Sequence, residues 1–243
     1  MSASASDFDE IVTYPGTGRR FEQSLAVGLA DAAPSGRVRL DALARWLQDV
    51  ALADVVDAGL GEAALWVVRR TRLAVTRFPR FGETATVATF CSGIGRMWAQ
   101  RRTTVATSGG GLVEAVALWV HLDPASLRPI PFSDEELEIY SVSAAGREIK
   151  ARLRHRGPPE EAASRAWHFR SSELDVADHI NNAAYWAVLE DELLAGPEPA
   201  AIDVELEFRT PAQPGEHVVR SAGAQRWVLA ADGAVHASFL LDR

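Results

Sequence analysis

The amino-acid sequence predicts an α+β fold made of two similar halves, each with one long helix packed against an antiparallel sheet. A stretch with helical periodicity lies near the start, and several β-rich runs follow it. The same order returns later in the chain, and short segments at equivalent places in the two parts resemble each other. The chain has 243 residues, 47% of them hydrophobic, which is enough to bury a substantial core.

The first half begins after a polar stretch at 1–20 that we expect to be a loose tail. A strand is predicted at 21–29. An amphipathic helix is predicted at 38–58, where apolar side chains recur every three or four residues. Glycines end this helix, and β-rich runs then alternate with Gly, Pro and Ser. The further strands are predicted at 65–78, 84–90, 97–106 and 112–122.

The second half follows a polar linker at 143–165. A strand is predicted at 166–170 and a helix at 180–194. The remaining strands are predicted at 201–208, 217–222, 225–229 and 234–241.

Two pairs of segments indicate an internal duplication. FPRFGETATV at 78–87 matches TPAQPGEHVV at 210–219, and AVALWVHLD at 115–123 matches AVHASFLLD at 234–242. The two modules are therefore 21–142 and 166–243. We expect their sheets to join edge to edge, because neither small sheet could cover its own edges alone.

Composition excludes several classes of function. A formal net charge of −8 argues against a dedicated nucleic-acid binder, which needs a concentrated cationic face. No apolar run approaches the length of a membrane span, and the first ten residues are polar and acidic, so we expect a cytoplasmic protein. Cys91 is the only cysteine, which excludes an internal disulfide. We expect Cys91 to be a small buried side chain rather than a nucleophile.

The clearest chemical pattern is ELDVADHINNAAYWAVLE at 173–190. Asp175 and His179 are four residues apart and supply a base or nucleophile and a proton carrier. Asn181 and Asn182 follow at the start of the predicted helix, which either Asp178 or Asn181 caps. Unpaired amides at such a helix start stabilise an oxyanion. The alternative interpretation is a capped helix beside a structural histidine.

Four segments in the same order resemble the plant-type and bacterial acyl-ACP thioesterases. They lie at 64–102, 118–132, 174–186 and 204–216. The resemblance implies a tandem double-hotdog fold and hydrolysis of fatty acyl-ACP to a free fatty acid and the carrier thiol, in fatty acid biosynthesis. It implies acyl carrier protein as the partner and no cofactor. It also implies that the N-terminal hotdog binds the acyl chain and that the C-terminal hotdog carries the catalytic residues.

The catalytic motif of that family, D-x-N-x-H, falls on Asp175 and His179, but its asparagine position is Ala177. The position of a later family glutamate is Pro211, followed by Ala212. The sequence therefore departs from the family at two polar positions.

Three accounts of these departures remain open. Asp175 and His179 act with the helix amides alone, or Asp178 or Glu207 replaces the missing glutamate, or the protein binds acyl groups or acyl carriers with little hydrolysis. An acyl-CoA thioesterase is a further alternative. For the reaction itself, Asp175 either activates water or attacks the thioester directly.

The resemblance also suggests which residues contact the substrate. The candidate acyl-chain lining is apolar or aromatic: Trp46, Val50, Leu65, Val67, Met97 and Trp119. Two cationic groups are candidates for docking the acidic carrier. They are Arg147, Lys150, Arg152, Arg154 and Arg156 in the linker, and Arg69, Arg70 and Arg72. The histidines are scattered without ligand spacing, so we expect no metal site. Because the two fused modules satisfy each other's edges, we expect a monomer or a homodimer.

Overall fold

The computed structural model describes residues 10–60 and 65–241, in which ten strands form one antiparallel sheet. Residues 1–9 of the predicted tail, residue 64 of one resembling segment and residues 242–243 of the second module lie outside the described residues. The elements of the first half are β1 Arg20–Ala26, α1 Leu40–Asp57, β2 Leu65–Arg77, β3 Thr84–Ile94, β4 Trp98–Thr107 and β5 Leu112–Leu122.

The second half repeats this plan. A helix that hydrophobic periodicity did not predict, α2 Asp134–Ala144, lies between the halves. The elements that follow are β6 Ala163–Phe169, α3 Asn182–Leu194, β7 Ile202–Phe208, β8 Gly215–Ala222, β9 Gln225–Leu229 and β10 Val235–Leu241. The predicted α+β class is confirmed, with each long helix followed by a set of antiparallel strands.

The strand order shows the duplication directly. It runs β1-β3-β4-β5-β2-β7-β10-β9-β8-β6, so the second five strands repeat the order of the first five in reverse. The halves meet where β2 pairs with β7, in a register that runs from Arg70 opposite Glu207 to Val75 opposite Ile202. The predicted edge-to-edge junction is therefore confirmed, and it removes one open edge from each sheet.

The two long helices pack together against one face of the sheet. Their apolar positions belong to one hydrophobic cluster that includes residues of both halves. A buried ion pair also joins the segment just before α1 to α3, since the Arg37 guanidinium donates to Glu190 of α3 at 2.8 Å. Glu190 accepts a further hydrogen bond from the Leu40 amide, at 3.0 Å, which satisfies one free N–H at the start of α1. We call the face of the sheet that these helices cover the inner face.

The linker crosses the other face of the sheet, which we call the outer face. Ile149 packs on β5, and the Trp98 indole of β4 donates to the Ile149 carbonyl at 2.9 Å. Further along, the Trp227 indole of β9 donates to the carbonyl of Arg156 at 2.7 Å. The two tryptophans occupy equivalent strands of the two halves, so the same hydrogen bond from an indole to a linker carbonyl occurs in both halves.

None of the helices in the described parts of the chain combines the length and the hydropathy that a membrane span requires. Cys91 is buried, as predicted, and burial raises the pKa of its thiol to about 11. The thiol is therefore protonated at neutral pH, which does not suit a nucleophile.

Candidate active site

A tight loop brings Asp175 and His179 together just before α3. The Asp175 amide donates to the His179 carbonyl at 3.0 Å, and the Asp178 amide donates to the Asp175 carbonyl, also at 3.0 Å. Asp178 has a φ of 57°, a left-handed conformation that Asp tolerates better than most residues. The spacing of four residues therefore closes a turn whose two arms carry the predicted acid and imidazole.

The Asp175 carboxylate is half-buried and oriented by two donors. One oxygen accepts a hydrogen bond from the backbone amide of Ala177 at 2.9 Å. The other accepts one from the Asn181 side-chain amide at 3.3 Å. Ala177 contributes through its backbone, so its apolar side chain does not leave this carboxylate without a donor. His179 is exposed, which suits a group that exchanges protons with solvent.

Asn181 is the cap of α3, which resolves the choice between it and Asp178. Its side-chain oxygen accepts a hydrogen bond from the Ala183 amide at 2.9 Å. The same oxygen accepts one from the Gln48 side chain of α1 at 3.1 Å. One asparagine therefore connects the Asp175 carboxylate, the start of α3 and the long helix of the other half.

The loop that contains Pro211 braces the Asp175 loop through its backbone. Pro211 itself is exposed, whereas Ala212 is fully buried. The Ala212 carbonyl accepts from the Ile180 amide at 3.0 Å, and the Ala212 amide donates to the Tyr185 hydroxyl at 3.0 Å. Burial raises the pKa of Tyr185 to about 12, so this hydroxyl keeps its proton at neutral pH. Pro211 and Ala212 therefore supply backbone hydrogen bonds or a rigid turn at the position of the family glutamate, and neither side chain is an acid.

Of the two alternative carboxylates, only Asp178 lies in the loop of Asp175. Glu207 points to the outer face, where it accepts hydrogen bonds from the Arg154 and His155 amides at 2.6 and 3.0 Å. Successive strand residues alternate between faces, and Phe208 lines the cavity on the inner face. Glu207 therefore cannot replace the missing glutamate.

A narrow cavity of about 30 Å³ lies between α1, α3 and the inner face of the sheet, with room for about one or two water molecules. It touches the first turn of α3 through Asn182 and Ala183. Its polar lining includes Gln48, Thr71 and Arg101. The rest of the lining is formed by Ala44, Leu47, Val68, Thr103, Ala115, Ala117, Trp119, Trp186 and Phe208. The start of α3 thus opens onto a narrow, mainly apolar space over the first-half sheet.

Of the six residues predicted to line an acyl-chain site, Trp119 lines this cavity. Trp46 and Val50 belong to the packed core, with 5% and 0% of their surface exposed. The other three are half-buried and lie away from the cavity: Leu65, Val67 and Met97. The small residues Ala115 and Ala117 also line the cavity, although no sequence pattern singled them out, and they leave room where larger side chains usually fill a sheet.

One group of possible metal ligands occurs among the described residues, on the outer face. It consists of His155, Glu205 and Glu207, whose ligand atoms lie within 4.8 Å of one another. The Arg70 guanidinium lies 2.6 Å from Glu205, so one positive charge already occupies this cluster. The imidazole hydrogen-bonds Glu205 at 3.1 Å. The group ties the linker to the sheet and lies away from the Asp175 loop.

Comparison with known proteins places this geometry in a family. The profile of the acyl-ACP thioesterase N-terminal domain matches residues 18–140, and that of the acyl-ACP thioesterase C-terminal domain matches 157–229. Two uncharacterised Mycobacterium tuberculosis proteins are 25% identical over 208 residues, which cover 85% of this chain and 83% of each of theirs. A chloroplastic palmitoyl-acyl carrier protein thioesterase of Gossypium hirsutum is 24% identical over 68% of this chain and 45% of its own length.

Solved structures show the same fold. The 12:0-ACP thioesterase from Umbellularia californica superposes with a TM-score of 0.71 at 19% identity, over 92% of this chain and 96% of that chain. An acyl-ACP thioesterase from Bacteroides thetaiotaomicron superposes with a TM-score of 0.72 at 16% identity, over 92% and 98%. The predicted tandem hotdog is therefore confirmed. Because the two domain profiles together span most of its length, the chain belongs to the acyl-ACP thioesterase family.

Proposed function

We propose that this chain hydrolyses fatty acyl-ACP to a free fatty acid and the carrier thiol, with Asp175 and His179 as its catalytic side chains. The observation that carries the proposal is the meeting of three features at Asn181 and Asn182. These are the Asp175 carboxylate, the start of α3 and the cavity. Membership of the family supplies the substrate class.

In the proposed reaction the acyl chain enters the narrow cavity by displacing its lining side chains, and the thioester carbonyl lies at the start of α3. Asp175 takes a proton from water as the water oxygen bonds to the carbonyl carbon. The helix dipole and the backbone amide of Asn182 stabilise the oxyanion that forms. The carbonyl then re-forms as the carbon–sulfur bond breaks, and His179, which takes a proton from solvent, delivers it to the leaving thiolate. Asp175 finally releases to solvent the proton that it took from water. Direct attack by Asp175, through an anhydride that water later opens, is the alternative route.

The test is to incubate the purified protein with acyl-ACP and with acyl-CoA of matched chain length and to measure free thiol and fatty acid together. We expect both products in equal amounts, with faster release from acyl-ACP. Faster release from acyl-CoA would make the protein an acyl-CoA thioesterase. Tight acyl binding without release of thiol would contradict hydrolysis and indicate a binding protein.

The linker is the surface we propose for docking of the carrier. Lys150, Arg152, Arg154 and Arg156 are exposed, whereas Arg147 is half-buried and donates to the Ser92 carbonyl at 3.1 Å. Of the second group, Arg70 and Arg72 are ion-paired with Glu205 and Asp203. Exposed cations suit an acidic partner, because complementary charge mainly accelerates association.

Charge reversal tests this docking surface. We expect Arg152→Glu with Arg154→Glu to lower turnover of acyl-ACP more than turnover of an acyl-pantetheine thioester. The matched control is Arg128→Glu, which reverses an exposed arginine outside the linker. Equal loss on both substrates would reject the linker as the docking surface.

The proposal also concerns location and assembly. A cytoplasmic location agrees with the use of acyl-ACP in fatty acid biosynthesis. Pairing of β2 with β7 within one chain supports a monomer, because the two modules already satisfy each other's edges. Size-exclusion chromatography with light scattering distinguishes the monomer from a homodimer.

A further inference from the structure

We propose that the buried ion pair between Asp54 and Arg101 closes the far end of the cavity and thereby sets the longest acyl chain that the protein accepts. This inference rests on the proposed acyl thioester substrate. The ion pair joins α1 to β4, and Arg101 is itself part of the cavity lining.

The α1 helix shows where the cavity ends. Ala44, Leu47, Ala51 and Asp54 recur at three- and four-residue steps and so form one stripe of the helix. Ala44 and Leu47 line the cavity, and Asp54 lies seven residues after Leu47, about 10 Å further along the helix axis. Beyond Asp54, Val55 and Ala58 belong to a separate apolar cluster. The stripe therefore passes from apolar lining to a buried charge and then to a second apolar region.

Strands β3 and β4 show the same succession from cavity lining to a buried charge and then to the second apolar cluster. On the inner face of β4, Thr103 and Arg101 line the cavity, whereas Ala99 belongs to the second apolar cluster. On β3, Thr89 accepts a hydrogen bond from Arg101 at 3.4 Å, and Cys91, two residues further, again belongs to the second cluster. Two elements thus place Arg101 at the boundary between the cavity and that cluster.

The ion pair is buried and held in place by a second arginine. Asp54 is 1% exposed, and its two carboxylate oxygens are each 2.6 Å from an arginine, Arg19 on one side and Arg101 on the other. Arg19 also donates to the Asp54 carbonyl at 2.8 Å. A hydrocarbon tail that reached this pair would have to separate or desolvate two buried charges, which costs more than burial of one more methylene gains.

The direct test is Arg101→Ala, assayed with an even-numbered series of saturated acyl-ACPs. The variant opens space towards the second cluster, while Asp54 stays paired with Arg19. Each methylene that enters gains about fourfold in kcat/KM, which corresponds to ~0.8 kcal/mol. We therefore expect the preferred chain length to increase by one step of the series, which adds two methylenes, with about a fifteenfold gain in kcat/KM on the longer substrate.

Arg102→Ala is the matched control. Arg102 is the next residue of the same strand, is 4% exposed and is ion-paired with Glu114, but it lies on the outer face. We expect its chain-length profile to stay that of the unmodified protein. In the Arg101→Ala background, Ala99→Leu should block the new space and reverse the gain, whereas alone it should change nothing.

An unchanged chain-length profile in folded, active Arg101→Ala would overturn the proposal. A crystal structure of the unmodified protein with the longest fatty acid it binds provides a second test that needs no variant. We expect the terminal carbon to lie against Arg101, and a chain that continues to Cys91 would overturn the proposal as well. Because fatty acid binding needs no turnover, a length limit without hydrolysis would reject the proposed function and leave this inference standing.

Discussion

Asn181 both caps α3 and donates a hydrogen bond to Asp175, and two replacements of Asn181 separate its contribution to stability from its contribution to turnover. In Asn181→Ala, α3 loses its cap, which contributes about 1 kcal/mol to stability. The hydrogen bonds to Gln48 and to Asp175 are also lost, at about 0.5 kcal/mol each for partly exposed groups. We therefore expect the free energy of unfolding to fall by ~2 kcal/mol. For a chain of this length, that lowers the Tm by about 4–8 °C.

Asn181→Asp is the variant that isolates the catalytic effect. A carboxylate still accepts from the Ala183 amide and suits the helix N-terminus, so we expect the Tm to stay close to that of the unmodified protein. The donor to Asp175 is replaced by a like charge, which raises the pKa of one of the two carboxylates. We therefore expect acyl-ACP hydrolysis at neutral pH to fall by about tenfold or more.

Thermal unfolding, measured on the same preparations as thiol release, checks the predicted change in Tm, and thiol release checks the predicted loss of hydrolysis. If Asn181→Asp lowers the Tm as much as Asn181→Ala, Asn181 is not the cap that the structure assigns. If Asn181→Asp hydrolyses acyl-ACP at the unmodified rate, orientation of Asp175 by the Asn181 amide does not contribute to turnover.

Three further predictions concern buried groups. Tyr185→Phe removes the acceptor of the Ala212 amide and should lower the free energy of unfolding by about 1–3 kcal/mol in urea denaturation, so an unchanged midpoint would contradict this contact. Cys91 should react with a thiol reagent at neutral pH only after denaturant is added, because burial raises its pKa to about 11; rapid labelling of the folded protein would show that the thiol is accessible. Burial lowers the pKa of His236 below its usual 6.5, so the unfolded chain binds a proton more readily and stability should fall as the pH drops below 6.5. His236→Gln should reduce that loss, measured as the difference between the two proteins in urea denaturation above and below this pH.

Periodicity predicted most elements of the fold because burial follows it closely. The helix predicted at 38–58 is Leu40–Asp57, and the strand predicted at 112–122 has the bounds of β5. The predicted strand at 21–29 is too long at its end, because β1 stops at Ala26 and a short 3-10 helix, Leu29–Asp31, follows. Local sequence pattern does not show where a strand leaves its sheet.

The missed helix α2 carried a signal of its own. Ser133 and Glu136 form a capping box, in which the Ser133 side chain accepts from the Glu136 amide at 3.2 Å. The apolar side chains of α2 form no strong helical stripe, so hydrophobic periodicity did not find it. A search for caps would have found its first turn.

The site was only partly predictable. Asp175 and His179 were identified from the sequence as the candidate acid and imidazole, and a local turn joins their backbones. Gln48 is 133 residues from Asn181, and no local pattern predicts that contact. The outward direction of Glu207 follows from strand alternation and could have been deduced beforehand.

Hydrolysis of acyl-ACP by folded Asp175→Asn and His179→Ala is the decisive measurement for the assignment of the Asp175 loop. Asp175→Asn keeps an acceptor for the Ala177 amide but removes the charge, and His179→Ala removes an exposed ring, so both variants should keep the Tm of the unmodified protein. We predict that each lowers the release of thiol by at least about tenfold. Turnover at the unmodified rate in both variants would contradict the assignment of this loop as the catalytic centre.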